Sequence, residues 1–594
     1  MATKKKKAKG PLTPADIQKK IQSDHRKLVR ATFRGSGFSR IDEIVDKQFS
    51  YENQASDLDD VFVYENVIVL CEYTISKSEN VGPHLKNKKV FYDKVIANPV
   101  AFVDFLKATF PTSVSKFPAS YHKSKLQIRI LYCSRYEFDS HYKENVPGIA
   151  YLDYPALRYF VSVVDAIRKS ARFEIFHFLG LDVKNIGENG KIVISESSSE
   201  YHGSILPEAH SNFDDGYKVV SFYADPDALL KTAYVLRADG WRDSLNLYQR
   251  MISRTKVEGI RSYLKKEKRV FINNIIVTLP SDVKPVDPNS NTIDAKSLVD
   301  TAPVKIKLPT KPNSVGLIDG QHRVFAYHET LEDDAEIAAL RVQQNLLVTG
   351  IIYPENTNTA AREKFEAKLF LEINSNQTSA KSTLKQAIGM VLEPFSNESI
   401  AARVLGGLAR TGPLAGRVQQ YFYDSDKLKT TSIVSYGLRP LVKTKGPDSL
   451  FAVWDDPEKD MVVEQKNENA LTRYIEFCVK AINVMLSAIR ANIPADRWDT
   501  DPKVEGRVLA TTYINSFLIT MRLLIEKGVN IEFSGLKASL AGIGDFDYST
   551  YHSSQYGKMA EKIVQTHFSD ATGSASQLAS DPQAGSEVAN SDGA

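Results

Sequence analysis

Apolar and polar positions in the first third of the chain follow a pattern that predicts a mixed sheet with covering helices. Short apolar runs predict strands at residues 61–64, 67–71, 126–131 and 149–152. Helical spacing of apolar residues predicts helices at 12–34, 100–110 and 157–178. The last of these is predicted to be one long helix or a helix pair. The segment 35–185 is therefore predicted to form one domain, preceded by a basic arm and helix over residues 1–34.

A polar stretch separates this segment from a second mixed region. Residues 186–214 are rich in polar residues and are predicted to be a linker. Beyond it, the pattern predicts a helix and two strands, at residues 260–264, 272–277 and 315–318. The charges of Glu363 and Glu366 predict a solvated helix face. The segment 215–400 is therefore predicted to form a second domain that mixes helices and strands.

After residue 400 the pattern becomes mostly helical. Amphipathic stretches at 470–490 and 508–526 predict long helices, so residues 401–568 are predicted to form a helical C-terminal module. Residues 569–594 contain no Lys, Arg or aromatic residue and are predicted to be a disordered tail. The predicted fold class is α/β in the α+β sense, with two mixed domains and one helical module.

The composition is that of a soluble protein with several domains. The 594 residues are 42% hydrophobic and 25% charged, and the chain is too long for a single core. No apolar run reaches the ~18 residues of a membrane span, and the N-terminus lacks the apolar segment of a signal peptide. The sequence therefore predicts a cytoplasmic protein without a membrane partner.

Net charge and cysteine content say little about the function of the whole chain, and only one local cluster of charge is informative. The net charge of +4 is too small to identify a partner. The basic cluster from Lys4 to Lys9 fits either a solvating tail or a nucleic-acid contact. The 3 cysteines are too few and too scattered for a disulfide framework or a zinc site, so reduced core residues are predicted.

The strand predicted at 315–318 ends in a loop with the features of an anion site. Asp319 and Gly320 are a turn signal, and a helix is predicted over 324–331. Free backbone N–H groups and the positive end of the helix dipole point at such a junction. Gly320 permits a ligand to approach the backbone closely, and Arg323 offers a planar fork suited to phosphate.

This loop resembles that of a known family. Residues Asp319, Gly320, Gln321, His322 and Arg323 form the Asp-Gly-Gln-His-Arg signature of the DGQHR family, which includes DndB-type regulators of DNA phosphorothioation. The family is similar to the ParB/sulfiredoxin-like superfamily, whose Gly-x-x-Arg loop holds nucleotide phosphates. The resemblance implies that fold for the central domain and a bound ATP, GTP or CTP. It also implies further polar contacts from Gln249, Arg250, Asn374 and Gln377.

His322 has two roles open to it in this reading. It could act as the general base for attack of water on a phosphate, or it could donate a hydrogen bond and stay in place. The simplest alternative for the whole motif is an ordinary Asp-Gly turn in which His322 and Arg323 cap a helix.

A second constellation lies near the N-terminus and resembles the hairpin of PD-(D/E)xK nucleases, the restriction-endonuclease-like fold. Asp59 opens one predicted strand, with Asp60 as an alternative, and Glu72 ends the next. The resemblance implies that Asp59 and Glu72 hold Mg²⁺, which polarises the scissile phosphate and activates water. The alternative is a pair of acidic strand ends that face water.

The lysine that completes this nuclease motif is missing from its usual place. Thr74 stands there, and threonine cannot stabilise the negative charge that develops in the transition state. Either cleavage has been lost or a nearby lysine takes over. Lys77 is the nearest candidate in sequence, and the following segment adds Lys86, Lys88 and Lys89.

Together the two resemblances imply a DNA-acting protein of a prokaryotic DNA-modification or defence system. Its partners would be DNA, a nucleotide and other proteins of that system. Two alternatives belong to other classes. The chain could be a non-catalytic DNA-binding regulator of DndB type, or a nucleotide hydrolase that serves a DNA-modifying partner.

Overall fold

The chain forms two compact units, residues 1–378 and 379–594, in a computed structural model. The structure describes residues 13–76, 78–118, 121–137, 140–181, 185–187, 200–237, 241, 249–309, 311–332, 334–375, 382–421, 423–424, 426–552 and 554–569. The predicted basic arm and, apart from Ser569, the predicted tail lie outside these residues. Mixed sheets together with many helices confirm the predicted α+β class.

The N-terminal part of the first unit is built on a mixed sheet. Its strands are β1 (Ser39–Arg40), β2 (Phe49–Tyr51), β3 (Gln54–Ser56), β4 (Asp60–Tyr64), β5 (Val67–Thr74), β6 (Gln127–Ser134) and β7 (Ala150–Leu152). Among the described residues, five of them form a sheet in the order β1-β4-β5-β6-β7, and β2 pairs with β3. Strands β4 and β5 form the predicted antiparallel hairpin, which is thereby confirmed, and β5, β6 and β7 run parallel.

Helices cover both faces of this sheet. They are α1 (Pro14–Gly35), α2 (Ser78–Ala97), α3 (Pro99–Thr109), α4 (Ser140–Asn145), α5 (Tyr154–Ile167) and α6 (Arg172–Phe178). The predicted helix pair is confirmed as α5 and α6, which are separated at Arg168, where φ is 46°. Strand side chains alternate between faces, so Val69 packs in the core with α5 and Leu70 packs in the core with α2 and α3.

The central part of the first unit contains a larger mixed sheet. Its strands are β8 (Glu200–Ile205), β9 (Lys218–Ala224), β10 (Ala233–Tyr234), β11 (Ile275–Leu279), β12 (Ala302–Lys307), β13 (Val315–Asp319) and β14 (Leu346–Ile352). Within the described residues they form one seven-stranded sheet in the order β10-β13-β11-β14-β9-β8-β12. The linker predicted over 186–214 is wrong for β8, which pairs with β9 and β12 and buries Tyr201 and Ile205.

The helices of this central part are α7 (Glu208–Ser211), α8 (Pro226–Thr232), α9 (Arg254–Glu267), α10 (Gln321–Phe325), α11 (Ala335–Gln343) and α12 (Thr359–Ser375). The helix predicted over 324–331 is wrong, because α10 begins at Gln321 and ends at Phe325. Beyond it the chain turns tightly: the backbone N–H of His328 donates to the carbonyl oxygen of Phe325 at 3.1 Å. Ala326 and Tyr327, just beyond α10, are buried although the helix has ended.

Glu366 corrects a second expectation from the charge pattern. It is 1% exposed and lies on the inner side of α12, not on a solvated face. Its Oε1 accepts hydrogen bonds from Thr278 at 2.6 Å, Tyr234 at 2.6 Å and Tyr353 at 2.7 Å. Burial raises the pKa of Glu366, and these three hydroxyl donors act against that rise.

The two sheets of the first unit share one hydrophobic core. Leu157 and Phe173 from the N-terminal helices belong to the same buried cluster as Leu229 and Val257 from the central part. Polar contacts join them as well, because Arg172 of α6 donates to Glu329 at 2.8 Å. The predicted nuclease-like and signature-bearing regions are therefore packed as one body.

The second unit is helical, as predicted. Its helices are α13 (Ser382–Leu392), α14 (Asn397–Arg410), α15 (Thr430–Ser432), α16 (Arg439–Leu441), α17 (Leu450–Val453), α18 (Lys459–Val463), α19 (Glu468–Arg490), α20 (Thr511–Glu526), α21 (Phe533–Ser539) and α22 (Tyr556–His567). Helices α19 and α20 confirm the two long helices that were predicted. No helix in the described part of the chain is long and apolar enough to cross a membrane. The cysteines are free and buried, as predicted.

Candidate functional site

The β4–β5 hairpin brings the two predicted acidic residues together. The backbone N–H of Asp59 donates to the carbonyl oxygen of Cys71 at 3.1 Å. Oδ2 of Asp59 accepts a hydrogen bond of 2.7 Å from the backbone N–H of Tyr73. Glu72 lies between these two strand residues, and the side chains of Asp59 and Glu72 are both buried. They form a carboxylate pair at the end of the hairpin.

The electrostatic environment of this pair favours a cation. Burial and the neighbouring charge of Glu72 raise the pKa of Asp59 to about 7, although the N–H of Tyr73 and the charge of Arg26 act in the opposite direction. Arg26 of α1 contacts Asp59 and also pairs with Asp46 at 3.0 Å. A carboxylate destabilised by a second carboxylate is a group that a nearby positive charge stabilises.

Asp60 was the alternative to Asp59, and the structure gives it a different role. Its side chain is completely buried and accepts 2.7 Å hydrogen bonds from Nε of Arg30 and from the hydroxyl of Tyr73. Arg40 contacts it as well. Neighbouring strand residues point to opposite faces, so Asp60 belongs to an internal ion-pair network while Asp59 lies beside Glu72.

A lysine from a helix supplies the charge that the motif lacks. Nζ of Lys88, on α2, lies 2.9 Å from Oε2 of Glu72 and 2.8 Å from Oδ1 of Asp57. Glu72 is an even-numbered residue of β5, and this face of the strand packs against α2. Lys89 instead pairs with Asp93 on its own helix, and Lys86 is exposed. Lys77, the candidate nearest in sequence, lies outside the described residues.

His84 and Thr74 are the remaining neighbours of the Asp59–Glu72 carboxylate pair, which together with Lys88 is called the centre below. His84 hydrogen-bonds through Nδ1 to the hydroxyl of Tyr132 at 2.6 Å, and its Nε2 lies 3.5 Å from Oε1 of Glu72. Thr74 is buried, and its hydroxyl accepts a 3.1 Å hydrogen bond from the backbone N–H of Ser76. Thr74 therefore caps the end of β5 and offers no charge to the centre.

The donor set of the centre fits Mg²⁺. Asp59 and Glu72 supply carboxylate oxygens, and Mg²⁺ is commonly held by one or two carboxylates with water as the other ligands. In the part of the chain that the structure describes, no group of three or more His, Cys, Asp and Glu side chains is arranged to hold a metal ion.

The signature loop opens into a cavity of about 580 Å³ in the central part. Eight of the residues predicted for the phosphate site line it, namely Gln249, Arg250, Asp319, Gly320, Gln321, His322, Arg323 and Asn374. Gln377, the ninth, lies outside the described residues. Residues that are far apart in sequence, on β13, α10, α12 and the segment before α9, thus meet around one space.

Gly320 has a backbone conformation that other residues rarely adopt. Its φ is 102°, and a Cβ atom there would lie 2.6 Å from Cδ1 of Ile275. The turn that it makes sends the chain directly into α10, which has 5 residues. A helix this short has little dipole, so the predicted anion site depends on side chains rather than on the end of a helix.

Arg323 lies beside the acidic residue of its own loop. Its Nη2 donates to Oδ2 of Asp319 at 2.7 Å, while its Nε is buried and finds no hydrogen-bond partner in the residues that the structure describes. The guanidinium therefore keeps one unsatisfied donor next to the cavity. Two further cations, Arg250 and Lys256, line the same cavity and are exposed. Positive charge dominates the polar wall as a result.

His322 is held as a neutral ring. Burial and the charges of Lys256, Arg237 and Arg323 lower the pKa of His322 to about 4. Its Nε2 accepts a 3.1 Å hydrogen bond from the backbone N–H of Ser253, so the neutral ring carries its proton on Nδ1. No lone pair is left to accept a proton from water, and this arrangement favours the positioning role over the general base.

Two other predicted residues support the cavity from within the fold. Gln249 is 2% exposed, and its amide nitrogen donates to the carbonyl oxygen of Leu317 at 2.8 Å. It thereby fastens the segment before α9 to β13. The amide nitrogen of Asn374 donates to the carbonyl oxygen of Phe370 on its own helix at 2.9 Å.

Sequence reasoning missed one wall of the cavity. Lys256, Ile260 and Tyr263 line it from α9, and Phe271 and Phe370 add two aromatic rings. The first three follow each other at intervals of four and three residues, the spacing of one helix face. That spacing was the available signal, but it identifies a face and not what the face covers.

No protein family, curated protein or solved structure matches this chain in the comparisons made with each. The resemblances to the DGQHR family and to PD-(D/E)xK nucleases remain predictions from the motifs.

Proposed function

We propose that the chain is a DNA-acting hydrolase, with a phosphodiesterase centre in its N-terminal part and a nucleotide-binding or phosphate-binding cavity in its central part. The observation that carries the proposal is the position of Lys88, whose Nζ lies 2.9 Å from Oε2 of Glu72. The resemblances suggest the setting, a prokaryotic DNA-modification or defence system with further protein partners.

Each residue of the centre has a defined task in this proposal. Asp59 and Glu72 would hold Mg²⁺, which when bound acts as a Lewis acid on the scissile phosphate and lowers the pKa of a water molecule. Lys88 places a positive charge where negative charge develops in the transition state. Because the centre is buried, this charge is screened less by solvent than a surface lysine would be.

The cavity is suited to a ligand with a phosphate and an apolar ring. Arg250, Lys256 and Arg323 supply positive charge, and planar guanidinium groups bind phosphate oxygens well. Tyr263 and Phe271 supply aromatic surface in the same space. This combination supports ATP, GTP or CTP as the ligand.

DNA cleavage by the full chain tests the proposal directly. Supercoiled plasmid is incubated with Mg²⁺ or Mn²⁺, alone and with each of ATP, GTP and CTP. We expect nicking by the wild type and none by the double variant Asp59→Asn and Glu72→Gln. Asp93→Asn is the matched control, because this exposed carboxylate pairs only with Lys89 among the described residues. Cleavage that survives in the double variant would place the active centre elsewhere.

A non-catalytic DNA-binding regulator is the second candidate, and one observation favours it. Arg26 and Lys88 already pair with Asp59 and Glu72, so the charges of the two carboxylates are compensated without a metal ion. In that case the protein would bind DNA equally well with Mg²⁺ or with a chelator. Fluorescence anisotropy with labelled duplex DNA, together with the absence of nicking, would distinguish this candidate from the hydrolase.

A further inference from the structure

Arg237 lies between the cavity and the N-terminal part of the first unit. It is 2% exposed. Its Nη1 donates to the hydroxyl of Tyr159 on α5 at 3.1 Å and to Oε2 of Glu174 on α6 at 3.0 Å. A buried arginine is costly unless it is paired and hydrogen-bonded, so these two N-terminal side chains hold the guanidinium in place.

The same guanidinium reaches the signature loop. Its Nε donates to Oε1 of Gln321 at 3.2 Å, and the amide nitrogen of Gln321 donates to the carbonyl oxygen of Arg250 at 3.2 Å. An amide has one acceptor end and one donor end, so the two bonds together determine how Gln321 faces the cavity. Arg237 therefore orients a cavity residue from behind the wall.

One donor of Arg237 is not used. Its Nη2 is buried and has no hydrogen-bond partner among the described residues. A buried donor without a hydrogen-bond partner destabilises the folded protein, so a hydrogen bond to this N–H group would lower the free energy of the folded state. A ligand that turns Gln321 away would leave the Nε of Arg237 without its acceptor, in addition to Nη2.

A second contact between the same two parts of the unit lies away from the cavity and serves as a reference. Arg172 donates to both carboxylate oxygens of Glu329, at 2.8 and 2.9 Å. The backbone N–H of Glu329 donates to the hydroxyl of Ser170 at 3.0 Å, and its carbonyl oxygen accepts from the N–H of Lys169 at 3.1 Å. None of these four residues lines the cavity.

The helix that carries Tyr159 is in tight contact with the helix that carries Arg26. A Cβ atom on Gly35 of α1 would lie 2.4 Å from Cγ1 of Val164 on α5, so the two helices approach as closely as glycine permits. Arg26, on α1, contacts Asp59 of the carboxylate pair. Interiors packed this closely transmit strain, so α1, which carries Arg26, is mechanically linked to α5.

We infer that Arg237 is a positioning residue that couples the cavity to the nuclease-like centre, through Gln321 on one side and Tyr159 and Glu174 on the other. The inference rests on the proposed ligand-binding function of the cavity. Coupling of this kind is reciprocal: a ligand that reorients Gln321 biases α5 and α6, and the state of these helices changes the affinity for the ligand.

Hydrogen exchange of the full chain without ligand tests the contact itself. Gln321→Ala removes the acceptor of Arg237, and the amides of α5 and α6 should then exchange faster. Arg323→Ala is the matched control, because Arg323 belongs to the same loop but makes no hydrogen bond to Arg237 in the structure. Unchanged exchange of both helices in Gln321→Ala, or an equal increase in Arg323→Ala, would overturn the inference.

Titration with ATP, GTP and CTP, one at a time, tests the consequence for binding. Tyr159→Phe keeps the ring and removes the hydroxyl that holds Arg237, and we expect affinity to fall about fivefold or more. Glu329→Gln, which weakens the reference contact, should leave affinity unchanged. Equal affinity in the wild type and Tyr159→Phe overturns the coupling and leaves the binding function intact. Failure of all three nucleotides to bind, with the exchange effect of Gln321→Ala present, overturns the nucleotide function and supports the coupling.

Discussion

Lys88 of α2 donates to Glu72 of β5 across a distance of 2.9 Å. Lys88 lies on α2, 16 positions after Glu72, and brings to this carboxylate the positive charge that Thr74 at the end of β5 does not provide. The ammonium group also contacts Asp57 at 2.8 Å, so it lies among the acidic residues of the centre and not at its edge.

Removal of the Lys88 charge should abolish most cleavage. We expect Lys88→Met, which keeps the length of the side chain, to lower the rate about a hundredfold, the scale of losing one electrostatic stabiliser. Lys89→Met is the control, because Lys89 pairs with Asp93 at 2.6 Å and not with the carboxylate pair. Nicking rates under saturating Mg²⁺ provide the measurement. A similar loss in both variants would show that Lys88 only supports α2.

Arg323 should matter for binding more than for folding. Arg323→Ala removes a guanidinium whose Nε has no partner within the described part of the chain, so little hydrogen bonding is lost apart from the pair with Asp319. We expect nucleotide affinity to fall about tenfold, because a charge-assisted hydrogen bond contributes roughly 1.5–3 kcal/mol. Isothermal titration and the melting temperature are measured together. Arg254→Ala, outside the cavity, is the control, and a lowered melting temperature with unchanged affinity would favour a helix-capping role.

Gly320 should tolerate no side chain. In Gly320→Ala the φ of 102° and the contact of 2.6 Å with Ile275 both act against the new Cβ atom. We expect a loss of about 1–3 kcal/mol in the free energy of unfolding of the first unit. Gly259→Ala is the control on the same cavity, because a Cβ atom there meets nothing within 4 Å. That helical site should become slightly more stable. Equal melting temperatures for the two variants would contradict the strained turn.

His25 should make the first unit sensitive to acid. Burial and the charge of Arg135 lower the pKa of His25 to about 4, although a hydrogen bond to the carbonyl oxygen of Cys133 acts in the opposite direction. The unfolded chain has a pKa near 6.5, so it binds the proton first. The stabilisation from this residue is therefore complete above about pH 6.5 and is lost as the pH falls towards 4.

The size of this effect is measurable by urea unfolding at two pH values. Between pH 7 and pH 5 the wild type should lose about 2 kcal/mol through His25, since each unit of pKa difference corresponds to about 1.4 kcal/mol. His25→Gln should be less stable at pH 7 but should lose correspondingly less on acidification. The same pH dependence in both proteins would exclude His25 as the source.

Sequence alone determined those features that depend on neighbouring residues. The continuous apolar runs at 61–64 and 67–71 are enough to specify the β4–β5 hairpin, because both faces of these strands are buried and the turn at Glu65 and Asn66 is local. In the same way, Gly320 after an apolar run identified a turn that only glycine makes easily. Residues 319–323 could be recognised as one loop because they are contiguous in the sequence.

Only the tertiary structure decided which distant side chains meet. The sequence left four lysines as candidates, and the packing of α2 against β5 places Lys88 beside Glu72. The charge pattern placed Glu366 on the surface, whereas in the structure its carboxylate is buried and accepts hydrogen bonds from three hydroxyl groups. Strand β8 has no pattern of its own and forms because β9 and β12 supply its hydrogen bonds. Arg237 is bound by residues from both parts of the first unit. Local periodicity reports which face of an element is buried, whereas these contacts depend on what covers that face.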